Sequence, residues 1–257
     1  MILLGAAIGD ISGSTYEFDG KEKPSKDKAV LFPEGSVFTD DTVMTCAIAD
    51  TLKSGCREGC FQYLRKWMEN YPKAGYGSSF EGLVLYGMSP RFESYGNGAA
   101  MRISPIAYFA KDESDCIELS HSMTRCSHPH PEGMKGAETV AVVIYRALHG
   151  CSKKELHEYA SSKYDFESLS YEEMRKFHGH GEESCQITVP QALWCFFHSE
   201  SFEDCLRTAI SIGWDCDTLA AIACSIAEAY YDDIPQGIIH EAEKRLPFDI
   251  IEALTIK

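Results

Sequence analysis

The chain is short of positive charge. Its 257 residues carry 24 Lys and Arg against 39 Asp and Glu, a formal net charge of −15. Such a surface repels a phosphate backbone, so non-specific nucleic-acid binding is not expected. A small anion remains admissible where local cations or backbone N–H groups offset the field. Long apolar runs are missing too: no stretch of 18 such residues occurs, and no membrane span is expected. The leading Met1-Ile2-Leu3-Leu4-Gly5 has no basic region and soon reaches Asp10, so no signal peptide and a cytoplasmic location are expected. There is no C-x-x-C pair. Eleven cysteines are scattered, an odd number that suits neither a disulfide framework nor a zinc site. They read as reduced, mostly buried thiols. Alternating β-branched runs are nearly absent, as are tandem repeats and Gly/Ser linkers. An all-α protein, one domain over residues 1–257 and a monomer, is therefore expected.

What is present is helical periodicity. Val43, Ala47, Ile48 and Leu52 form one apolar face, and Phe61, Leu64, Trp67 and Met68 another within 56–70. Residues near 98–110, 134–149, 152–160, 186–198, 202–212, 218–231 and 236–246 read similarly. Three irregular stretches separate them: 21–35, 71–98 with eight Gly and Pro, and 163–184, which ends in His178-Gly179-His180-Gly181. Long loops inside compact proteins often carry function.

Two acidic clusters stand at helix starts. Thr39-Asp40-Asp41-Thr42 precedes one apolar helix, and Asp215-Cys216-Asp217-Thr218 precedes the run Leu219 to Tyr231. Helix capping explains one acid at each position. At the first cluster it explains two fairly well, but carboxylates at the mouth of the second, apolar and centrally buried helix are costly without a cation. Carboxylates with adjacent hydroxyls suit Mg²⁺, Mn²⁺ or Ca²⁺, so both clusters are expected at one divalent-metal site. Gly9 and Gly13, four apart, allow a close helix approach, and Glu17 lies one turn on. Gly96-Asn97-Gly98, leading to Arg102, can expose N–H groups to an anion, although such turns are common and Arg102 equally suits a salt bridge. His128-Pro129-His130-Pro131 is either a rigid loop or a ligand contact.

Taken in order, these elements resemble the ADP-ribosylglycohydrolase family, of the dinitrogenase-reductase-activating glycohydrolase type. The family's G-D-x-x-G-x-x-x-E falls at Gly9 to Glu17 and T-D-D-T at Thr39 to Thr42. G-N-G-x-x-M-R falls at Gly96 to Arg102, H-x-H-P at His128 to Pro131, and G-G-D-[ST]-D-T at Gly213 to Thr218. The resemblance implies a compact orthogonal helical bundle with two Mg²⁺ ions (Mn²⁺ as a substitute) held by Thr39, Asp40, Asp41, Asp215, Asp217 and Thr218. It implies Glu17 beside them, as a ligand or as the acid/base near the scissile bond, with Asp40 the other candidate acid/base. Ser94, Tyr95, Gly96, Asn97 and Gly98 would hold the diphosphate, with His128 on the ribose or diphosphate side. The expected activity is hydrolysis of the glycosidic bond between ADP-ribose and an acceptor, free or macromolecular. The alternatives are a di-metal hydrolase of another ADP-ribose-like or nucleotide substrate, and a non-catalytic ADP-ribose-binding protein, which would have no need of Glu17. Two positions depart from the pattern: Trp214 replaces the second Gly, and Cys216 replaces Ser or Thr. Trp214 is expected either to stack on the substrate at the rim or to pack outward; Cys216, between two ligands, is expected to point away.

Overall fold

A computed structural model describes residues 1–17, 23–89, 93–176 and 183–256. Among them the protein is helical, apart from a short 3₁₀ turn and two isolated bridges. In chain order the helices are α1 (Gly5–Gly13), α2 (Asp40–Lys53), α3 (Phe61–Asn70), α4 (Ser78–Tyr86) and α5 (Gly98–Met101). There follow α6 (Ile106–Phe109), α7 (Glu113–Arg125), α8 (Pro131–Leu148), α9 (Lys153–Ser161) and α10 (Tyr171–Met174). The last five are α11 (Cys185–Phe197), α12 (Phe202–Ser211), α13 (Cys216–Tyr231), α14 (Gln236–Glu243) and α15 (Phe248–Leu254). No helix of the described residues is long and apolar enough to cross a membrane.

Helix α13 is the centre, packed against α1, α8, α11 and α12. Every residue from Cys216 to Ala227 on it is buried, as its unbroken small apolar run requires. One continuous apolar cluster runs from Leu3 to Leu254. The ends of the chain meet in an antiparallel pair, Leu3 N–H donating to Leu254 O at 2.9 Å and Ile256 N–H to Met1 O at 2.8 Å.

The α1–α13 contact rests on missing side chains. A Cβ at Gly5 would sit 2.5 Å from Cys224 O, one at Gly9 2.3 Å from Ala220 O, and one at Gly13 2.4 Å from Asp217 Cα. The expected close approach of Gly9 and Gly13 is what the backbone makes, and Gly5 extends it by a turn. The turn into α13 needs another glycine for a different reason: Gly213 has φ +79, which a β-carbon disfavours.

Several elements differ from the periodicity reading. The segment 98–110 is two short helices, broken at Arg102–Ser104 before Pro105, which has no N–H to continue a helix. Helix α3 starts at Phe61, after Gly59 at φ +99, rather than at 56. Helix α4 lies inside 71–98, and α10 inside 163–184; both stretches read as loop because glycines or polar residues hid the pattern. Helices α7 and α15 were not anticipated. The buried stripe of α7 is Cys116, Leu119, Ser120 and Met123, only partly apolar by type. His178-Gly179-His180-Gly181 lies outside the described residues.

Candidate metal centre and substrate cavity

The two acidic clusters meet because α2 and α13 both start beside α1. Thr39 caps α2, its hydroxyl accepting from Asp41 N–H at 3.4 Å. Capping is thus supplied by threonine, and the carboxylates of Asp40 and Asp41 are left to other work. At α13 the N-cap position is Asp215, yet its side chain makes no cap bond. It instead accepts from Asn97 Nδ2 at 2.6 Å. Helix capping therefore does not account for Asp40, Asp41 or Asp215; Asp217 does accept from Thr218 N–H at 2.9 Å in the first turn of α13.

Asp10, on α1 between the close-packed glycines, organises the cluster. Its carboxylate accepts from Thr39 N–H at 2.8 Å, Thr39 Oγ1 at 2.8 Å, Thr42 N–H at 3.1 Å and Thr42 Oγ1. Thr39 Oγ1 and Thr218 Oγ1 both lie within reach of Asp41 Oδ2, at 3.3 and 3.1 Å, and so tie α2 to α13. Oxygens of Asp10, Asp41 and Asp217 lie within 4.8 Å of one another, and so do oxygens of Glu17, Asp215 and Asp217. Asp217 belongs to both groups. Asp40 lines the same cavity, its N–H held by Ala74 O at 2.8 Å.

Burial and the crowding of like charge have the expected electrostatic result. Burial first, then mutual repulsion, raises Asp40 to about 8, and pushes Asp41 and Asp217 well above the usual carboxylate range. Glu17 rises to about 7 through burial and the charge of Asp215. Asp10 rises to about 6 through burial, held back by its four hydrogen bonds. Burial also raises Asp215, against the hydrogen bonds it accepts. One oxygen of Asp41, Oδ1, is buried with no partner. A hard divalent cation answers all of these features: it needs oxygen ligands, neutralises clustered carboxylates and occupies an orphaned lone pair. The residues present fit such ions.

The acids form one end of a cavity of about 460 Å³. The other end is made by Phe80, Ser94, Gly96, Asn97, Gly98, Arg102 and His128. The Gly96-Asn97-Gly98 turn is fixed from behind by a bridge to Ser184, with Asn97 N–H donating to Glu183 O at 2.7 Å and Cys185 N–H to Tyr95 O at 2.9 Å. A Cβ at Gly98 would lie 3.2 Å from His128 Nε2, so the turn and the imidazole share one space.

The tautomer of His128 follows from its neighbours. Arg102 Nη2, which can only donate, faces both Ser127 Oγ and, at 3.5 Å, His128 Nδ1; that makes Nδ1 an acceptor, to which the Ser127 hydroxyl donates at 2.8 Å. The proton of the imidazole then sits on Nε2, facing the glycine turn. Burial and the charge of Arg102 hold His128 neutral, well below its ordinary value. Arg102 itself is 1 % exposed, stacks over Phe80 at 5.2 Å, and has Nε and Nη1 without hydrogen-bond partners. The cavity is polar in the literal sense, with clustered carboxylates at one end and a buried guanidinium at the other.

Of the residues expected from sequence, Thr39, Asp40, Asp41, Asp215, Asp217, Thr218 and Glu17 converge at the acid end. Ser94, Gly96, Asn97, Gly98 and His128 line the opposite end, with Asn97 reaching across to Asp215. Tyr95 is 41 % exposed, edge-on to His130, and does not line the cavity. Trp214 is half-buried and also lies outside the lining residues. Cys216 is fully buried, its Sγ directed at Gly13 O at 3.5 Å and away from the acids' oxygens. Sequence reasoning passed over Asp10, whose only local signal was its place between two close-packing glycines, and gave Arg102 no firm role. A larger cleft of about 900 Å³, lined by Asp50, Lys53, Trp67 and Phe248 among others, gathers no comparable chemistry.

This fold and site define a class. Residues 1–256 match the family described as ADP-ribosylglycohydrolase, and the chain belongs to that family. It is 26% identical to the ADP-ribosyl-dinitrogen reductase glycohydrolase of Rhodospirillum rubrum, covering 96% of this chain and 90% of that one. It is 26% identical to the ADP-ribosylhydrolase ARH3 of Homo sapiens, covering 97% and 90%. It is likewise 26% identical to an ADP-ribosylarginine hydrolase of Pseudomonas putida, covering 89% and 69%. Among solved structures, a chain titled ADP-ribosylglycohydrolase-related protein complex superposes with TM-score 0.72 at 23% identity, covering 98% of this chain and 94% of that one, a likeness of fold.

Proposed function

We propose that the protein hydrolyses the glycosidic bond joining C1″ of ADP-ribose to an acceptor, with two Mg²⁺ ions (or Mn²⁺) bound by its acid cluster. The observation that carries this reading is the two-ended cavity. A diphosphate needs positive charge and N–H donors, and Arg102, the His128 Nε2–H and the Gly96-Asn97-Gly98 turn stand together at one end. A ribose whose C1″ gains oxocarbenium character needs negative charge nearby, and the other end supplies it.

Thr39, Asp40, Asp41, Asp215, Asp217 and Thr218 would hold the cations, with Asp217 common to both groups of oxygens. When bound, these ions supply Lewis-acid charge for ribose hydroxyls and a water of lowered pKa. Asp10 fixes the entry to α2 through four hydrogen bonds, and Asn97 orients Asp215. Glu17, half-buried where the acid end opens, is placed to pass a proton to the leaving nitrogen or oxygen; Asp40 is the other carboxyl on that wall. Residues 1–257 act as one domain and a monomer in this reading.

The test is a panel of ADP-ribosylated arginine and serine peptides, ADP-ribosylated DNA and O-acetyl-ADP-ribose, each with Mg²⁺ and with EDTA. Free ADP-ribose is measured chromatographically. Release from one class, abolished by EDTA, is expected. Tight ADP-ribose binding with no release from any member would instead leave a binding protein.

A further inference from the structure

Cys60 and Cys126 are 66 residues apart in sequence, and their Sγ atoms meet at 3.7 Å. Cys60 immediately precedes α3, and Cys126 immediately follows α7. Both sulfurs lie beside one carbonyl, Met123 O, at 3.2 and 3.4 Å. The turn before Cys60 is pinned to α7, with Ser122 Oγ donating to Arg57 O at 2.8 Å and Arg57 paired with Asp115. The sulfurs are therefore held in register, and a bond needs them closer by roughly 1.7 Å.

This pair differs from the other cysteines. Cys205 and Cys224 are also neighbours, but both are fully buried. Cys126 is half-buried. Its thiol is pulled down to about 6 by the hydrogen bond from Cys60, with Arg102 adding to the effect against burial. Cys60 is pushed well above its usual value by the same contact and by burial. One thiolate beside one thiol is the arrangement that disulfide formation uses.

We propose that Cys60 and Cys126 are a reversible disulfide site that couples oxidation to the shape of the cavity through Ser127 and His128. With a peroxide as oxidant, the Cys126 thiolate attacks one peroxide oxygen. The O–O bond breaks, hydroxide leaves, and Cys126 becomes a sulfenic acid. The Cys60 sulfur then attacks the Cys126 sulfur; the S–S bond forms, the S–O bond breaks, and the departing hydroxyl takes the Cys60 proton and leaves as water. Two thiols lose two electrons and the peroxide gains them. Cys60 sits in the core at 0 % exposure, so the helix end at Cys126 is the side that yields. Ser127 and His128 are the next two residues, and His128 lines the cavity with its Nε2 at the Gly98 turn.

The reduced full-length protein is treated with hydrogen peroxide and mapped by mass spectrometry, with the dithiothreitol-reversed sample as control. A Cys60–Cys126 linked peptide, a loss of two hydrogens and full reversal are expected; Cys126→Ser gives no link, and Cys60→Ala gives a sulfenic acid on Cys126 that dimedone traps. Hydrogen–deuterium exchange over residues 96–98 and 126–130 should differ between the two states. ADP-ribose affinity, the part that rests on the functional reading above, should fall roughly three- to tenfold on oxidation, the worth of one neutral hydrogen bond, and should not change in Cys126→Ser. Linkage elsewhere, such as Cys205–Cys224, or no linkage at all, overturns the pair. A linked protein with unchanged exchange at both segments overturns its coupling to the cavity. A reduced protein that fails to bind ADP-ribose counts against the functional reading, while the mapping and exchange still decide the disulfide.

Discussion

Replacing Gly9 with alanine tests how the fold builds the acid cluster. The new Cβ would lie 2.3 Å from Ala220 O, 2.4 Å from Ala220 C and 2.5 Å from Ala221 N. Ordinary contact begins near 3.4 Å, so the overlap is about 1 Å. The obstacle is backbone of the buried helix α13, not a side chain that can swing away, so α1 must retreat. Overpacking of this kind costs about 1–3 kcal/mol, against roughly 1 kcal/mol gained by replacing a mid-helix glycine with alanine. A net loss of about 1 kcal/mol lowers the melting temperature by about 2–4 °C for a chain of this size. The neighbouring residue is Asp10, whose oxygens lie within 4.8 Å of those of Asp41 and Asp217. Metal–ligand distances tolerate only about 0.2 Å, so Mn²⁺ affinity should fall on the order of tenfold or more. Differential scanning fluorimetry and a Mn²⁺ titration read the two effects. Gly237→Ala is the control, since nothing stands within 4 Å of its Cβ; it should stay within about 0.5 kcal/mol of the parent. If Gly9→Ala matched the parent in both measurements, the close-approach reasoning would be refuted. A lowered melting temperature with unchanged Mn²⁺ binding would refute only the link from packing to site.

Asn97→Ala removes the 2.6 Å hydrogen bond to Asp215 and the 3.0 Å one to Thr188 Oγ1; stability should drop by about 1.5–3 kcal/mol, measured by urea denaturation, and Mn²⁺ binding should weaken with it. Glu228 caps α1 by accepting from Leu4 and Gly5 N–H, and burial raises its carboxyl to about 7. A raised acid favours the folded state fully below its unfolded value near 4.5 and loses that contribution as pH climbs through 7. Glu228→Gln should therefore flatten the fall in stability between those limits, by at most about 3 kcal/mol and less because Glu228 keeps some solvent contact; a parallel pair of melting-temperature–pH curves would contradict it.

Much of the site was legible locally. The Thr-Asp-Asp-Thr and Asp-Cys-Asp-Thr segments sit at the starts of α2 and α13 as their patterns required, and the small apolar run after Thr218 is buried throughout. Gly9 and Gly13 announced a close approach, and α13 is what approaches. Helix α4 was illegible because Gly82 interrupts it and Gly77 and Gly87 flank it, and α7 because part of its buried stripe is cysteine and serine. Tyr95 read as a diphosphate contact and Trp214 as stacking at the rim or packing outward; neither lines the cavity, because adjacent side chains diverge.

The amino-acid order alone determined which residue types stand at which helix starts, and hence that carboxylates and hydroxyls, not cysteines, would form the candidate metal site. It determined the helical class through periodicity, a property of neighbours within one or two turns. Only the tertiary structure decided what lies across from what. It made Asp10 the acceptor for Thr39 and Thr42, set Arg102 and His128 opposite the acids, and brought Cys60 to Cys126. Those pairings join residues 29 to 66 positions apart or more. They depend on how closely two helices can pack, and at α1 and α13 that distance is set by three absent β-carbons.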